Sequence, residues 1–510
     1  MPTHKLDARH LSRREVFGLG WGSPAVTVSL QSHAPAALVP AADASLLFPQ
    51  SNDPAAELIY MSATKLAQWI REKKVSSEEA VKACLTRIAD VNPKLNAVVQ
   101  LCAERALVEA KEADGLLAKG KLKGPLHGVP MTIKDSFDTA GVVSTGGTLG
   151  RKDYIPGRDA TVVARLRAAG AILLGKTNTP EFTLSFNTTN LVYGATRNPY
   201  GLNFQPSGSS GGAAAIVASG GSPFDIGSDF AGSIREPCHA CGIAGIKPTS
   251  GRVPRSGHIV GYGGAFDAFQ QVGPMARKVE DLVLILPIIA GPDYLDAAIV
   301  PVPLKNPGEV GLKGLRVAYY TTNGEIDPVP EIQQMVERCA GLLSGLGAKV
   351  TQSRPPMMKE AGEIRWRLHG ADGGATVTRL VKKAGTRQTS PVLFLGGTML
   401  KPSEFAELVE KLDACRSAML AFMEDFDVIL CPVNAQPAKP LSAEPVSPRG
   451  NYTSVYNITG WPVAVVRAGT SPEGLPLGIQ IVGRPWAEEV VLAAAAQLES
   501  KTGGWQKPPI

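Results

Sequence analysis

Residues 201–260 hold 12 glycines and only seven charged residues. Glycine at that density lets a backbone turn sharply and approach its neighbours closely. So few charges mean that the stretch is buried rather than solvated. The chain as a whole leans the same way, with 54 Gly and 40 Pro in 510 residues, 19% charged and 44% hydrophobic residues. Disorder requires low hydrophobicity and high net charge, so it is excluded. The glycines show no triplet period, which excludes a collagen-like rod. What remains is a large, loop-rich protein with ample chain to bury a core. By length alone, about three domains would be expected.

Charge says little about partners. Lys+Arg 52 against Asp+Glu 46 gives +6, spread thinly and without a basic block to track phosphates, so no nucleic-acid partner is expected. Seven cysteines are an odd count and imply no full disulfide framework. The strongest apolar run, Leu282 to Ala290, is interrupted by Pro287 and is too short to span a bilayer, so no integral membrane segment is expected. Residues 1–50 stand apart. Ser12-Arg13-Arg14-Glu15-Val16-Phe17 followed by a weakly apolar stretch to Leu30 reads as a twin-arginine export signal or as a disordered basic tail. The first reading places the protein in the periplasm, the second in the cytoplasm.

From about residue 55, helical and strand-like segments alternate. Ser76-Ser77-Glu78-Glu79 reads as a capping box, and Leu101–Leu117, Ser403–Phe426 and Ala487–Leu498 have helical spacing. Short apolar runs at 128–133, 171–174, 427–430 and 463–466 read as strands, which argues for α/β layering. A Pro-rich connector at 301–307 divides the text.

Short chemical motifs conflict with one another. Gly170 to Thr177 spells a phosphate-binding loop, but its spacer residues are the apolar strand itself. Ser62-Ala63-Thr64-Lys65, Ser228-Asp229-Phe230 and Lys501-Thr502-Gly503 resemble a penicillin-recognising set that lacks its Asn. Gly208-Ser209-Ser210-Gly211-Gly212 matches a nucleophile elbow centred on Ser210, yet only His239, His258 and His369 follow it. Cys238-His239-Ala240-Cys241 lacks the second pair that a structural zinc needs, and both thiols read as small buried residues.

Longer segments carry more weight: QPSGSSGGAAAIVASGGSPFDIGSDFAGSIREPCHACGIAGIKPTSGRVPR (205–255), GPLHGVPMTIKDSFDTAG (124–141), DATVVARLRAAGAILLGKTNTPEF (159–182) and NITGWPVAVVRAGTSPEGLPLGIQIVG (457–483). In this order they closely resemble the amidase signature family. The resemblance implies an α/β fold over 55–510, a single large domain with a central mixed β-sheet flanked by helices and a variable pocket-forming segment at about 300–425.

Amide hydrolysis needs a nucleophile, a proton acceptor, an acid for the leaving amine and donors for the oxyanion. Without a well-placed His, a Lys can serve as base, provided that burial keeps it neutral. Lys134 follows the apolar run ending at Ile133 and should sit at an inner strand end, with Asp135 facing elsewhere. By resemblance, Lys134, Ser209 and Ser233 form a Lys–cis-Ser–Ser triad: Ser233 attacks, and Ser209 relays its proton to neutral Lys134. The bond Gly208–Ser209 is then cis. The oxyanion turn is carried by Phe230, Ala231, Gly232 and Ser233. Ala231 and Ser207 stand where the family usually has Gly. Asp229 and Arg235 are expected to pair and fix the turn, Ser210 to orient the loop or touch substrate, and Thr145 and Gly146 to line the pocket.

The resemblance implies a cofactor-free and metal-free hydrolase of a hydrophobic or aryl small-molecule amide, ester or carbamate. Arg484-Pro485-Trp486 and Gly503-Gly504-Trp505 lean toward the fatty-acid-amide-hydrolase-like branch. Met357, Met358, Trp366, Leu368, Leu393, Phe394, Leu395, Met399 and Phe405 read either as an apolar pocket wall or as helix core. The alternatives are an amidotransferase component that releases ammonia from glutamine, a penicillin-recognising serine hydrolase, and a binding protein on a decayed amidase scaffold. A homodimer is an assembly that the sequence leaves open.

Overall fold

The computed structural model describes residues 58–261, 269–391, 393, 396–443 and 451–510. The twin-arginine pattern, Phe394 and Leu395 lie outside the described residues. All the described residues fall in one unit, within Ala41–Ile510.

Local sequence sets the first long helix. Ser76 accepts from the Glu79 amide at 3.1 Å and its own amide donates to the Glu79 carboxylate at 2.8 Å, closing the capping box expected there. The helix runs Ser77–Leu95 and ends at Asn96, whose φ of 52° is a left-handed stop. The other expected helices appear at Ala103–Ala118, Pro402–Phe422 and Glu488–Thr502.

Eight strands form the central mixed sheet, in the order Lys349–Gln352, Arg316–Tyr319, Val428–Pro432, Pro476–Gly483, Val463–Thr470, Ala244–Lys247, Gln271–Ala276 and Phe224–Asp229. The first three are mutually parallel and the remaining pairs antiparallel. Helices cover the sheet, so strands such as Pro476–Gly483 are buried at every position and read as apolar text interrupted by Gln480. The Pro-rich connector does not separate two domains, because Arg316–Tyr319, just beyond it, joins this same sheet.

A smaller sheet holds Val98–Leu101, Ile172–Thr177 and Pro130–Lys134. The phosphate-loop pattern falls inside it: Gly175, Lys176 and Thr177 are buried strand residues, and a Cβ at Gly175 would lie 2.4 Å from the Gln100 carbonyl oxygen. The small sheet meets the edge of the large one through side chains. Thr132 Oγ1 and Thr177 Oγ1 donate to Asp225 Oδ2 at 2.7 and 3.0 Å. The run Leu282–Ala290 falls in the helix Val279–Ile289 and its C-cap Ala290, and among the described residues no helix is long and apolar enough to cross a membrane.

The segment 355–425 forms helices Met358–His369, Ala375–Ala384 and Pro402–Phe422. Met358 and Leu368 are buried in a cluster that also holds Phe269, with Phe230, Met357 and Phe405 packed against it, whereas Met399 is 72% exposed.

Candidate active site

Strand geometry explains why Lys134 and its neighbour Asp135 part company. Side chains alternate across a strand, and in the parallel pairing Lys134 stands beside Thr177 while Ile133 stands beside Lys176. Thr132, Lys134 and Thr177 therefore share the face that meets the strand Phe224–Asp229. The Lys134 amine is fully buried there, 2.7 Å from Ser209 Oγ, 2.9 Å from Ser210 Oγ and 3.0 Å from Ser228 Oγ. Burial lowers its pKa to about 7, against the pull of Asp229 and Asp225, so near neutrality much of it is an unprotonated amine. Asp135 turns the other way, where its carboxylate accepts from Thr145 Oγ1 at 2.5 Å and from the Gly146 amide at 3.1 Å. Thr145 and Gly146, expected along the pocket, are thus buried and engaged with Asp135.

Two glycine-rich loops bring serines to this amine. In the first, Gly208–Ser209 is a cis peptide and Ser207 has a φ of 60°, the left-handed region that explains why Gly is the usual residue there. A Cβ at Gly208 would sit 2.8 Å from the Phe186 carbonyl oxygen. In the second, Phe230–Ser233 links the strand Phe224–Asp229 to the helix Arg235–Cys241. The Ser210 amide donates to the Ser233 carbonyl at 3.2 Å and so locks the two loops together. Ser209 and Ser233 are thereby neighbours, although no hydrogen bond joins their hydroxyls among the described residues. Such links commonly tighten only when substrate binds.

The second loop is framed by Asp229 and Arg235, both fully buried and paired at 2.9 Å. Burial alone would raise the Asp229 pKa, but the Arg235 guanidinium overrides it and holds the carboxyl well below its usual range. Asp229 accepts from the amides of Gly232 at 2.8 Å and Ile234 at 3.1 Å. Arg235 also reaches the Thr453 carbonyl at 2.8 Å, Gln480 Oε1 at 2.9 Å and Asn457 Oδ1 at 2.6 Å. The Gly232 amide is therefore engaged within the turn. The amides of Ala231 and Ser233 have no acceptor among the described residues, which leaves them available to an incoming oxygen. Ala231 does not take a positive φ, so its methyl costs the turn nothing; the position that needs glycine is 232, with a φ of 133° and only 2.4 Å between a built Cβ and Thr453 Oγ1.

Ser228, His258, Asp225 and Thr453 were not singled out for this site by sequence reasoning. Ser228 drew notice only as part of the penicillin-recognising set, which the fold disperses. Ser62 caps the helix Ala63–Arg71, Lys65 lies over the Trp69 ring, and Lys501 lies in the last turn of the helix Glu488–Thr502. Cys238 and Cys241 are buried, burial raises both thiol pKa values, and His239 Nδ1 accepts from the Gly478 amide at 2.9 Å. No metal-ligating group of three or more His, Cys, Asp or Glu occurs among the described residues.

A fold of this topology with this loop pair defines an amidase. The amidase family model matches residues 79–492, and the chain belongs to that family. It is 35% identical over 487 residues to the A subunit of the glutamyl-tRNA(Gln) amidotransferase of Moorella thermoacetica, covering 89% of this chain and 99% of the relative. Among solved structures it is similar to 6-aminohexanoate cyclic dimer hydrolase (TM-score 0.78, 27% identity, 88% of this chain and 99% of that one). It is equally similar to fatty acid amide hydrolase (TM-score 0.79, 27% identity, 88% and 86%).

Proposed function

We propose that the chain hydrolyses a carboxylic amide through an acyl-enzyme on Ser233, with Ser209 as relay and Lys134 as base. The observation that carries this reading is the 2.7 Å contact between a buried Lys134 amine and Ser209 Oγ on the cis loop. Ser233 Oγ attacks the amide carbon while its proton passes to Ser209 and that of Ser209 to the Lys134 lone pair. The oxygen that becomes anionic meets the amides of Ala231 and Ser233. Lys134 then returns a proton through Ser209 to the leaving nitrogen, the C–N bond breaks, and water attacks the ester by the same route in reverse.

Two substrate readings are supported by different observations. Beside the oxyanion turn, Phe230 packs near Phe269 at 6.3 Å and His369 at 5.8 Å, and Arg365 lies over its ring, a wall suited to an apolar or aryl acyl group. The curated relatives favour an amidotransferase component that releases ammonia from glutamine. The solved neighbours, at 27–29% identity, do not choose between them. Ammonia release from glutamine, measured beside hydrolysis of p-nitroanilides and long-chain amides, separates the two. Preference for glutamine by about 100-fold or more in kcat/KM would overturn the apolar reading. Export through the Ser12–Phe17 pattern would part the protein from tRNA and favour the apolar amide; fractionation of cells expressing the whole chain tests it.

A further inference from the structure

Several arginines of this chain are buried with their charge met. Arg235 pairs with Asp229 at 2.9 Å, Arg252 with Glu488 at 2.8 Å and Arg255 with Asp296 at 2.8 Å. Arg277 donates to the Val217, Ser222 and Met61 carbonyls at 2.8, 2.7 and 2.6 Å. Arg365 departs from this pattern. It is only 5% exposed, its Nε is buried without a partner, and it makes no hydrogen bond or ion pair among the described residues. A guanidinium removed from water without acceptors is costly, which points to an acceptor that the chain itself does not supply.

The place of this group says which acceptor. Arg365 belongs to the helix Met358–His369, and its guanidinium carbon stands 5.3 Å from the centre of the Phe230 ring, the first residue of the oxyanion turn. The ring attracts the charge but offers its N–H donors no lone pair. Burial lowers the Arg365 pKa to about 10, against the pull of Asp229 and with the push of Arg235, so near neutrality it is a cation. Asp229 does not serve as its partner. Its oxygens already accept from Arg235 Nε and Nη2 at 3.0 and 2.9 Å, from Asn457 Nδ2 at 2.8 Å and from the Gly232 and Ile234 amides.

We propose that Arg365 is a specificity-determining residue that takes the free carboxylate of a dicarboxylic acid half-amide, whose carbon chain or ring lies beside Phe230 while its amide reaches Ser233. The planar guanidinium fork matches a carboxylate in two parallel hydrogen bonds. Water then cleaves the C–N bond through the acyl-enzyme, giving the diacid and the amine or ammonia. Glutamine also carries a carboxylate on its acyl part, but it brings an ammonium, and Asp229, the carboxylate that acts on Arg365, has its oxygens taken. The inference rests on the Ser233 acyl-enzyme reading above.

The test uses the full chain and the mono-p-nitroanilides of succinic, glutaric and terephthalic acid, each beside a counterpart with an isopropyl group in place of the carboxyl. The wild type should favour at least one acid over its counterpart by about 30-fold or more in kcat/KM, and Arg365→Met should remove most of that ratio. Arg365→Lys keeps the charge without the fork and should retain only part of it, which carries the test if the Met variant does not fold. A wild type that favours the isopropyl compounds, or an Arg365→Met that lowers acid and counterpart alike, overturns the proposal, the latter as the mark of a purely structural contact with Phe230. Ammonia release should be faster from glutaramate than from glutamine, and the reverse order overturns the half-amide. Ser233→Ala is the control: if it still cleaves the anilides the acyl-enzyme reading fails, whereas an inactive Ser233→Ala with no acid preference in the wild type sinks this inference alone.

Discussion

Lys134 and Lys176 stand on adjacent parallel strands, one register step apart, and both amines are completely buried. Burial lowers the pKa of each. Their surroundings then diverge. Lys176 donates to the Phe137 carbonyl at 2.5 Å, Thr139 Oγ1 at 2.9 Å and Ser144 Oγ at 3.0 Å, with the Asp135 carboxylate 3.9 Å away. It is a charge with a counter-charge, and it ties down the loop after Lys134. Among the described residues, the Lys134 amine has only hydroxyls within hydrogen-bond reach, and these accept from an ammonium or donate to an amine equally well. Burial alone therefore does not make a base; burial among partners indifferent to the charge state does.

Breaking the Lys134 side of this contrast should give the largest effect. Lys134→Met and Ser233→Ala are each expected to lower kcat by about 10³-fold or more, and the double variant little further, since the groups act as a unit. Burst and steady-state kinetics on the best amide check this. Lys176→Met should do the opposite: it leaves a buried Asp135 without its cation, at a cost of roughly 3–5 kcal/mol in stability, while kcat of the folded fraction stays within about threefold. Urea unfolding beside activity separates the two, and a loss of kcat with stability intact would refute the contrast.

The next effect is graded by pH. The competent form of Lys134 is the unprotonated amine, and its pKa is lowered to about 7. The rate should fall about tenfold per pH unit below that value and level off above it. The limb should be lost with Lys134→Met and kept with Lys176→Met. The smallest effect concerns the loop that carries Ser209. Ser207 holds a φ of 60°, so Ser207→Gly should stabilise the protein by about 1 kcal/mol at most, read as a rise in the urea midpoint.

The run ending Ile133-Lys134-Asp135 places one polar residue on each face of a strand end, and alternation alone predicts that only one can face the serines. That expectation holds, with Asp135 bound to Thr145 and Gly146. Lys176, by contrast, is written inside a phosphate-loop pattern, and only its pairing with Val98–Leu101 and Pro130–Lys134 shows it to be strand. The pairing of Asp229 with Arg235 is local, six residues apart, and was legible. The engagement of the Gly232 amide by Asp229 was not, because a family resemblance names a turn without saying where each N–H points.

The sequence by itself determined the α/β class, the capping of the first long helix, the glycine-rich loops and the candidate set Lys134, Ser209 and Ser233, because those features depend on periodicity, backbone freedom and long matched segments. Tertiary structure alone decided which groups surround the Lys134 amine. Beyond Ser209, which the resemblance already paired with it, Ser210 and Ser228 lie 76 and 94 positions further along the chain. Their convergence follows from packing the small sheet against the edge strand Phe224–Asp229, a long-range contact that no local pattern encodes.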